Sequence, residues 1–233
     1  PTDNDRKLKA DWYAAHYDHA ATNAYHTEYT VTASGVTLHT HVGIAAICVQ
    51  KFLDLDVTWT VANNGSVDLA LHAQRNTVFP ELPRFGLRLF LPQEMSQVNY
   101  YGMGPMECYR DKHHAASHSS YTATVWQLHE DYIRPQENGS HFDCDYVMLA
   151  GDAVRLTAVG TQPFSFNASH YTQEELTRKA HNYELEPCGS TVLCLDYAQN
   201  GIGSESCGPR LLEQYRLDDA TFNFGLRLFP EKK

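Results

Sequence analysis

The sequence predicts an all-β fold, a sandwich of antiparallel strands with one short helix near residues 172–181. Three observations predict it. Apolar and polar residues alternate with period two along most of the chain, turn-forming Asn, Gly and Pro punctuate those runs, and a helical stretch with its own start signal occurs once. Period two marks a half-buried strand because successive side chains point to opposite faces of a sheet.

Taken in order, strands are expected first at 27–33 and 35–42. Leu55, Val57, Trp59 and Val61 then alternate with Asp54, Asp56, Thr58 and Thr60, and Asn63-Asn64-Gly65 supplies a turn. Val67, Leu69 and Leu71 continue beyond that turn, which makes a hairpin. Phe85, Leu87, Leu89 and Leu91 form another strand. A strand at 98–100 runs into a glycine-permitted tight turn. Further strands are expected at 145–149, 153–159, 164–168 and 191–196, and Phe222, Phe224, Leu226 and Leu228 form the last. The string Phe-Gly-Leu-Arg-Leu-Phe occurs at 85–90 and at 224–229, but nothing around it recurs, so it marks two similar strands and not a repeat architecture. Thr172-x-x-Glu175 reads as a capping box, and residues 173–181 are good helix formers with a cationic last turn. No Ser/Gly linker or charge block divides the 233 residues, so one domain over 1–233 is expected, large enough to bury a core.

Composition excludes several functions. With 18 Lys and Arg against 28 Asp and Glu the net charge is −10, which lacks the basic footprint of a nucleic-acid binder. The longest run without a charge or amide is 42–49, far short of the roughly 20 residues that span a bilayer. No membrane association is expected. The chain begins Pro-Thr-Asp-Asn-Asp-Arg, polar from the outset and without Met, so no signal peptide is expected and the chain is expected to be part of something longer. A soluble protein, cytoplasmic or periplasmic, follows. Cys48, Cys108, Cys144, Cys188, Cys194 and Cys207 form no C-x-x-C pair and read mostly as buried free thiols. Fourteen Tyr, 10 Phe, 3 Trp and 13 His supply rings that could stack on sugar faces, although aromatic rings equally fill sandwich cores.

The densest segment is Tyr101-Gly102-Met103-Gly104-Pro105-Met106-Glu107-Cys108-Tyr109-Arg110-Asp111. Pro105 removes a backbone donor where a phosphate loop needs one, and no helix pattern follows. In the loop at 200–209, Ser204 sits where a nucleophile elbow would need its first Gly, so serine-hydrolase chemistry is unsupported. His39 and His41 share one strand face, and Asp111, His113, His114 and His118 crowd one loop, but no third strand ligand is evident and no metal site is expected. Asn64, Asn138 and Asn167 head Asn-x-Ser strings, two of them Asn-Gly turns. Catalytic carboxylate pairs cannot be recognised from spacing, because the separation that matters is spatial.

The run at 101–111 resembles the Y-G-x-G-P-x-E-x-Y-x-D motif in the last domain of β-galactosidases of glycoside hydrolase family 2. Other pieces resemble that family in its own order: Pro1-Thr-Asp-Asn-Asp5, Leu82-Pro-Arg-Phe-Gly86, Pro135-Gln-Glu-Asn-Gly139, Phe164-Ser-Phe-Asn-Ala168, the helix start at 171–175, Leu195-Asp-Tyr197 and Gly201-Ile-Gly203. The resemblance covers essentially the whole chain. It implies a galactose-mutarotase-like super-sandwich, the C-terminal part of a larger enzyme, that lends loops to the rim of a sugar pocket. The catalytic glutamates of the retaining mechanism would lie in a separate barrel domain, so no catalytic residue is expected in this chain and the isolated chain is expected to be inactive.

By the same resemblance Asp3, Asn4, Asp5 and Cys207 are the candidate rim residues. Asp3-Asn4-Asp5 precede a loop at the pocket mouth, shortened here to 6–12, and Cys207 stands near the position of a Trp that stacks on the acceptor sugar. Tyr101, Gly102, Gly104, Pro105, Glu107, Tyr109 and Asp111 are read as structural. The resemblance further implies no cofactor in this chain, Mg or Na in other domains of the parent, a galactoside shared with the barrel, and a homo-oligomeric parent. It also places early strands of the sandwich before Pro1, so an open sheet edge is expected. Two other functions compete: a stand-alone carbohydrate-binding module, and an aldose mutarotase using a His with an acidic partner.

Overall fold

The structure, a computed structural model, describes Thr2, residues 5–202 and residues 209–233, with Arg6 by its backbone. In chain order it contains α1 (Arg6–Ala14), β1 (Ala21–Thr32), β2 (Gly35–Ala45), β3 (Leu53–Ala62), β4 (Val67–Arg75), β5 (Arg84–Pro92), β6 (Gln97–Gly104), β7 (Ser117–Thr124), β8 (Ser140–Ala150), β9 (Val154–Ser169), α2 (Gln173–Arg178), β10 (Ser190–Gln199) and β11 (Thr221–Lys232). Every strand pairing is antiparallel, in the order β1-β2-β3-β4-β11-β9-β8-β6-β7, with β10 joining β9 to β5. No helix among the described residues is long and apolar enough to cross a membrane.

Alternation decides which faces are buried. On β3, Leu53 and Leu55 are buried and Val57 and Trp59 partly so, while Asp56 faces solvent. The hairpin turn closes with Ala62 N donating to Ser66 O, and Gly65 sits at φ +86°, the left-handed region that glycine enters without strain. One cross-strand row shows where the core lies. Tyr29, Leu38, Trp59, Leu69 and Leu226 are in register across five strands, and exposure falls from 73% at Tyr29 to 1% at Leu226. The core lies under β3, β4 and the strands beyond, with Val42 and Ile44 of β2 packed at its margin, and β1 is exposed along its length.

Strand β9 turns the sheet over that core. Residues 154–160 pair with β11, and residues 165–169 pair with β10. The expected break between 159 and 164 is therefore a bend inside one continuous strand. Gly160 permits it, because a Cβ there would lie 2.2 Å from the Gln162 carbonyl oxygen. Phe164, Phe166, Leu193 and Leu195 on β9 and β10 then pack with Leu69 and Leu226 of β4 and β11.

Four further elements depart from the sequence expectation. Strand β6 runs on through Gly104, so Tyr101 and Gly102 lie in the strand and not in a turn. Their place is set by close approach: a Cβ on Gly102 would meet Cys144 Sγ at 2.3 Å. Strand β7 is an added strand, mostly polar, paired with β6 and packing only Tyr121 and Ala123 against the core. Residues 6–12, expected as a loop, lie within α1, which buries Leu8 and Trp12 one turn apart and anchors the Trp12 indole N–H on Glu81 O at 2.8 Å. Helix α2 ends at Arg178, with Lys179 already extended, and Thr172 Oγ1 accepts from Glu175 N at 3.1 Å.

His141 is 1% exposed, its Nδ1–H donating to Met103 O at 3.2 Å and its ring stacked on Phe166. Burial lowers its pKa to about 4 from 6.5. The unfolded chain therefore binds a proton that the folded chain refuses, and stability falls as the pH drops from 6.5 towards 4. The loss is on the order of 3 kcal/mol at full extent. His141→Phe is expected to flatten that part of the stability curve, measured by urea unfolding at several pH values; an unchanged slope would place the acid sensitivity elsewhere. The outer edge of β1 has no strand partner among the described residues, and open edges pair with one another. Light scattering coupled to size exclusion over a hundredfold concentration range is expected to show self-association, and a strictly monomeric chain would show the edge to be protected.

Candidate functional site

Segments far apart in the chain meet around the turn at 135–139. Arg84, at the start of β5, donates from Nε and Nη2 to Asp196 Oδ2 at 3.0 and 2.8 Å, and from Nη1 to Glu137 Oε2 at 3.2 Å. Asp196 lies on β10, and its side chain is 2% exposed. Gln199 Nε2 adds a third donor to the same Oδ2 at 3.3 Å. Two carboxylates thus share one cation. Burial works against the Arg84 charge, but Asp196 and Glu137 more than offset it and hold the guanidinium protonated. Glu137 is pushed above its usual range by burial, with Asp196 adding and Arg84 opposing.

The neighbouring carboxylate, Glu107, binds four donors. Lys112 Nζ donates at 2.9 Å, Gly139 N at 2.9 Å and the Tyr109 hydroxyl at 3.3 Å, and the Tyr132 hydroxyl completes the set. Its side chain is 7% exposed. Burial raises its pKa, yet the bonds from Tyr132, Lys112 and Gly139 together win, and the net direction is down. Asn167 Nδ2 donates to Asn138 O at 2.5 Å, which ties β9 to the same turn. Asp111 Oδ1 accepts from Ile202 N at 3.1 Å, which ties the end of the 101–111 run to the loop after β10.

A cavity of about 170 Å³ opens beside this network, walled by Trp12 of α1, Leu176 of α2, Arg84, Glu137, Asn200 and Ile202, with Asp5 at its edge. Asp5 is buried and accepts from Thr2 N at 2.6 Å and from the Thr2 hydroxyl at 3.1 Å. Burial raises its pKa against those bonds.

Of the four candidate rim residues, Asp5 lines this cavity. Asp3, Asn4 and Cys207 lie outside the described residues. Within the 101–111 run, Glu107, Tyr109 and Asp111 face the network. Tyr101 packs edge-on against His118 instead, a Cβ on Gly104 would meet the Tyr100 hydroxyl at 2.3 Å, and Pro105 is exposed after a cis Gly104–Pro105 bond. His39 binds Thr58, and His41 lies between Asp54 and Asp56. Among the described residues no group of three His, Cys, Asp or Glu is placed to hold a metal. Of the five described cysteines, Cys108, Cys144 and Cys194 are buried, Cys48 and Cys188 are exposed, and all are free.

The residues that sequence reasoning did not single out are Arg84, Glu137, Asp196, Asn200 and Trp12. The first three sit inside strings that the sequence analysis quoted, and an Arg and two acids in otherwise apolar or turn contexts are the signal that could have paired them. Leu8 and Trp12, four apart among good helix formers, are the signal for α1.

The family model described as beta galactosidase small chain matches residues 1–228. The β-galactosidase of Actinobacillus pleuropneumoniae is 44% identical over 232 residues, covering 100% of this chain and 23% of that protein. That of Staphylococcus xylosus is 38% identical over 228 residues, covering 98% and 23%. The chain therefore spans about a quarter of the length of these relatives. A solved galactose 1-epimerase from Lactobacillus acidophilus NCFM overlays with a TM-score of 0.46 at 10% identity, covering 88% of this chain and 66% of that one.

The Glu107 geometry yields a stability prediction. Its lowered pKa means that its contribution is complete above pH 4.5 and is lost as the pH falls below that value. Glu107→Ala leaves the Gly139 N–H and the Tyr132 and Tyr109 hydroxyls without their acceptor, and is expected to cost about 2–3 kcal/mol, roughly 5–10 °C in melting temperature. An unchanged melting temperature, with sugar binding lost in a full-length relative carrying the same change, would make Glu107 a ligand instead.

Proposed function

The chain belongs to the beta-galactosidase small-chain family, and we propose that it serves a longer β-galactosidase as an accessory domain. In this reading it shapes the rim of a galactoside pocket, while the two catalytic glutamates of a retaining, family 2 mechanism stand in a separate barrel domain. Any Mg or Na would be held by those other domains, and the parent would be a homo-oligomer.

The observation that carries the reading is the state of the carboxylates beside the cavity. Glu137 and Asp196 are both bound to one guanidinium, and Glu107 is saturated by four donors. A retaining glycosidase needs one carboxyl free to protonate the leaving oxygen and a second free to attack the anomeric carbon. Groups held this way are built to fix loops in place. The loops they fix are the ones that flank the cavity: the 135–139 turn, the segment after β10 through Asp111, and the start of β5. A rigid rim of this kind positions substrate without contributing to bond cleavage.

The test has two arms. The 233-residue chain alone is expected to leave a chromogenic β-galactoside unhydrolysed. Substituted for the corresponding segment of the Actinobacillus enzyme, it is expected to preserve turnover. Turnover by the isolated chain that disappears in Glu137→Gln would overturn the division of labour, and a chimera that folds but binds no galactoside would overturn the rim role.

A further inference from the structure

Of the three Trp residues, Trp12 is buried and Trp59 half-buried, while Trp126 is 49% exposed. Trp126 follows β7 in a turn that two bonds fix, Gln127 N donating to Thr124 Oγ1 at 3.2 Å and Thr124 N to Gln127 Oε1 at 2.8 Å. Its indole packs on His170, which is 3% exposed, with 4.7 Å between ring centroids. Tyr171, just ahead of α2, stands edge-on to the indole at 5.9 Å and 78°, and His129 packs on Tyr171 at 5.1 Å. Trp126 and Tyr171 thus form a nearly right-angled corner over a buried base. Neither residue lines the cavity beside Arg84.

The corner carries its own hydrogen-bonding groups. The Trp126 indole N–H and the Tyr171 hydroxyl bond nothing among the described residues. Burial first, and the Asp131 carboxylate second, raise the Tyr171 pKa, so its hydroxyl keeps the proton and can donate. A ligand that fills the corner has to offer acceptors beside an apolar face. A pyranoside does both, since its hydroxyl oxygens accept and its C–H face packs on an aromatic ring. The axial O4 of galactose leaves C3–H, C4–H and C5–H together on one face, a surface that a single indole can cover. An anion would meet Glu130 and Asp131, both exposed in the same segment. A methylated ammonium would suit the rings and those acids, but it offers no acceptor to the two donors.

We propose that Trp126 and Tyr171 form a surface site for a neutral galactoside, separate from the cavity beside Arg84. The apolar face of the sugar lies on the indole, and its hydroxyls meet Tyr171. The corner stands on ring geometry and exposure, whereas the choice of a galactoside rests on the reading that this domain serves a β-galactosidase.

The test is a titration of the ¹⁵N-labelled 233-residue chain with methyl β-D-galactopyranoside, and in parallel with glycerol and with tetramethylammonium. The galactoside is expected to shift the Trp126 indole N–H and the Tyr171 amide saturably and to leave the Trp12 indole N–H in place. Glycerol and tetramethylammonium at equal concentration are expected to leave all three unmoved. Trp126→Leu keeps apolar area without a ring and is expected to weaken binding by about fivefold or more. Trp126→Tyr restores a ring and is expected to recover most of that loss. The position is exposed, so both variants are expected to keep the core resonances of the wild type. A wild-type chain indifferent to the galactoside, equal shifts with glycerol, a stronger response to tetramethylammonium, or a folded Trp126→Leu that binds as tightly as wild type would each overturn the site. A Trp126 response in a chain whose chimera fails to turn over galactoside would sink only the accessory role. A working chimera whose Trp126 resonance ignores the sugar would sink only the corner.

Discussion

The Arg84 guanidinium is the contact on which the arrangement of loops depends. It lies between Asp196 on β10 and Glu137 in the 135–139 turn, more than fifty residues from one and more than a hundred from the other. A cation this far from water is tolerable only with its charge matched, and here two carboxylates match it. Loss of the cation alone would leave two carboxylates facing each other with little solvent, a change that typically costs about 3–5 kcal/mol. The network therefore acts more as a register pin than as a source of net stability. It admits one relative placement of β5, β10 and the turn.

The apolar core and this polar cluster share strands. β10 carries Leu193 and Leu195 into the core and Asp196 into the ion network, with a bulge between Asp196 and Ala198. β5 begins at Arg84 and continues with Phe85 in a second apolar cluster with Phe222 and Leu217. Gly86 allows these strands to approach, since a Cβ there would lie 2.4 Å from the Leu195 carbonyl oxygen. Packing thus delivers the charged groups to one another, and the charged groups fix which way the packed strands are aligned.

The network commits its acidic groups to fixed partners. Asp196 and Glu137 are bound to Arg84, and Glu107 to Lys112, Gly139 N and the Tyr109 and Tyr132 hydroxyls. The cavity beside them is walled by Trp12, Leu176, Arg84, Glu137, Asn200 and Ile202.

The sequence by itself determined the strands whose one face is buried. In β3, β4 and β11 a slip of one residue would turn Leu55, Leu69 or Leu226 to water, so alternation alone identifies the strand and its inner face. It also determined the Asn63–Gly65 turn and the Thr172 cap, because a left-handed glycine and an N-cap hydroxyl act within a few residues. The 101–111, 82–86, 135–139 and 195–197 strings marked the right segments without saying that they meet. Only the tertiary structure decided that. β7 has only Tyr121 and Ala123 to offer the core and is carried by the ladder that β6 provides; β9 is one strand because β11 and β10 pair with its two halves; α1 forms where Leu8 and Trp12 find a surface to cover. The charge state and orientation of Arg84, Glu137 and Asp196 depend on desolvation and on partners distant in sequence, and neither quantity exists until the chain has folded.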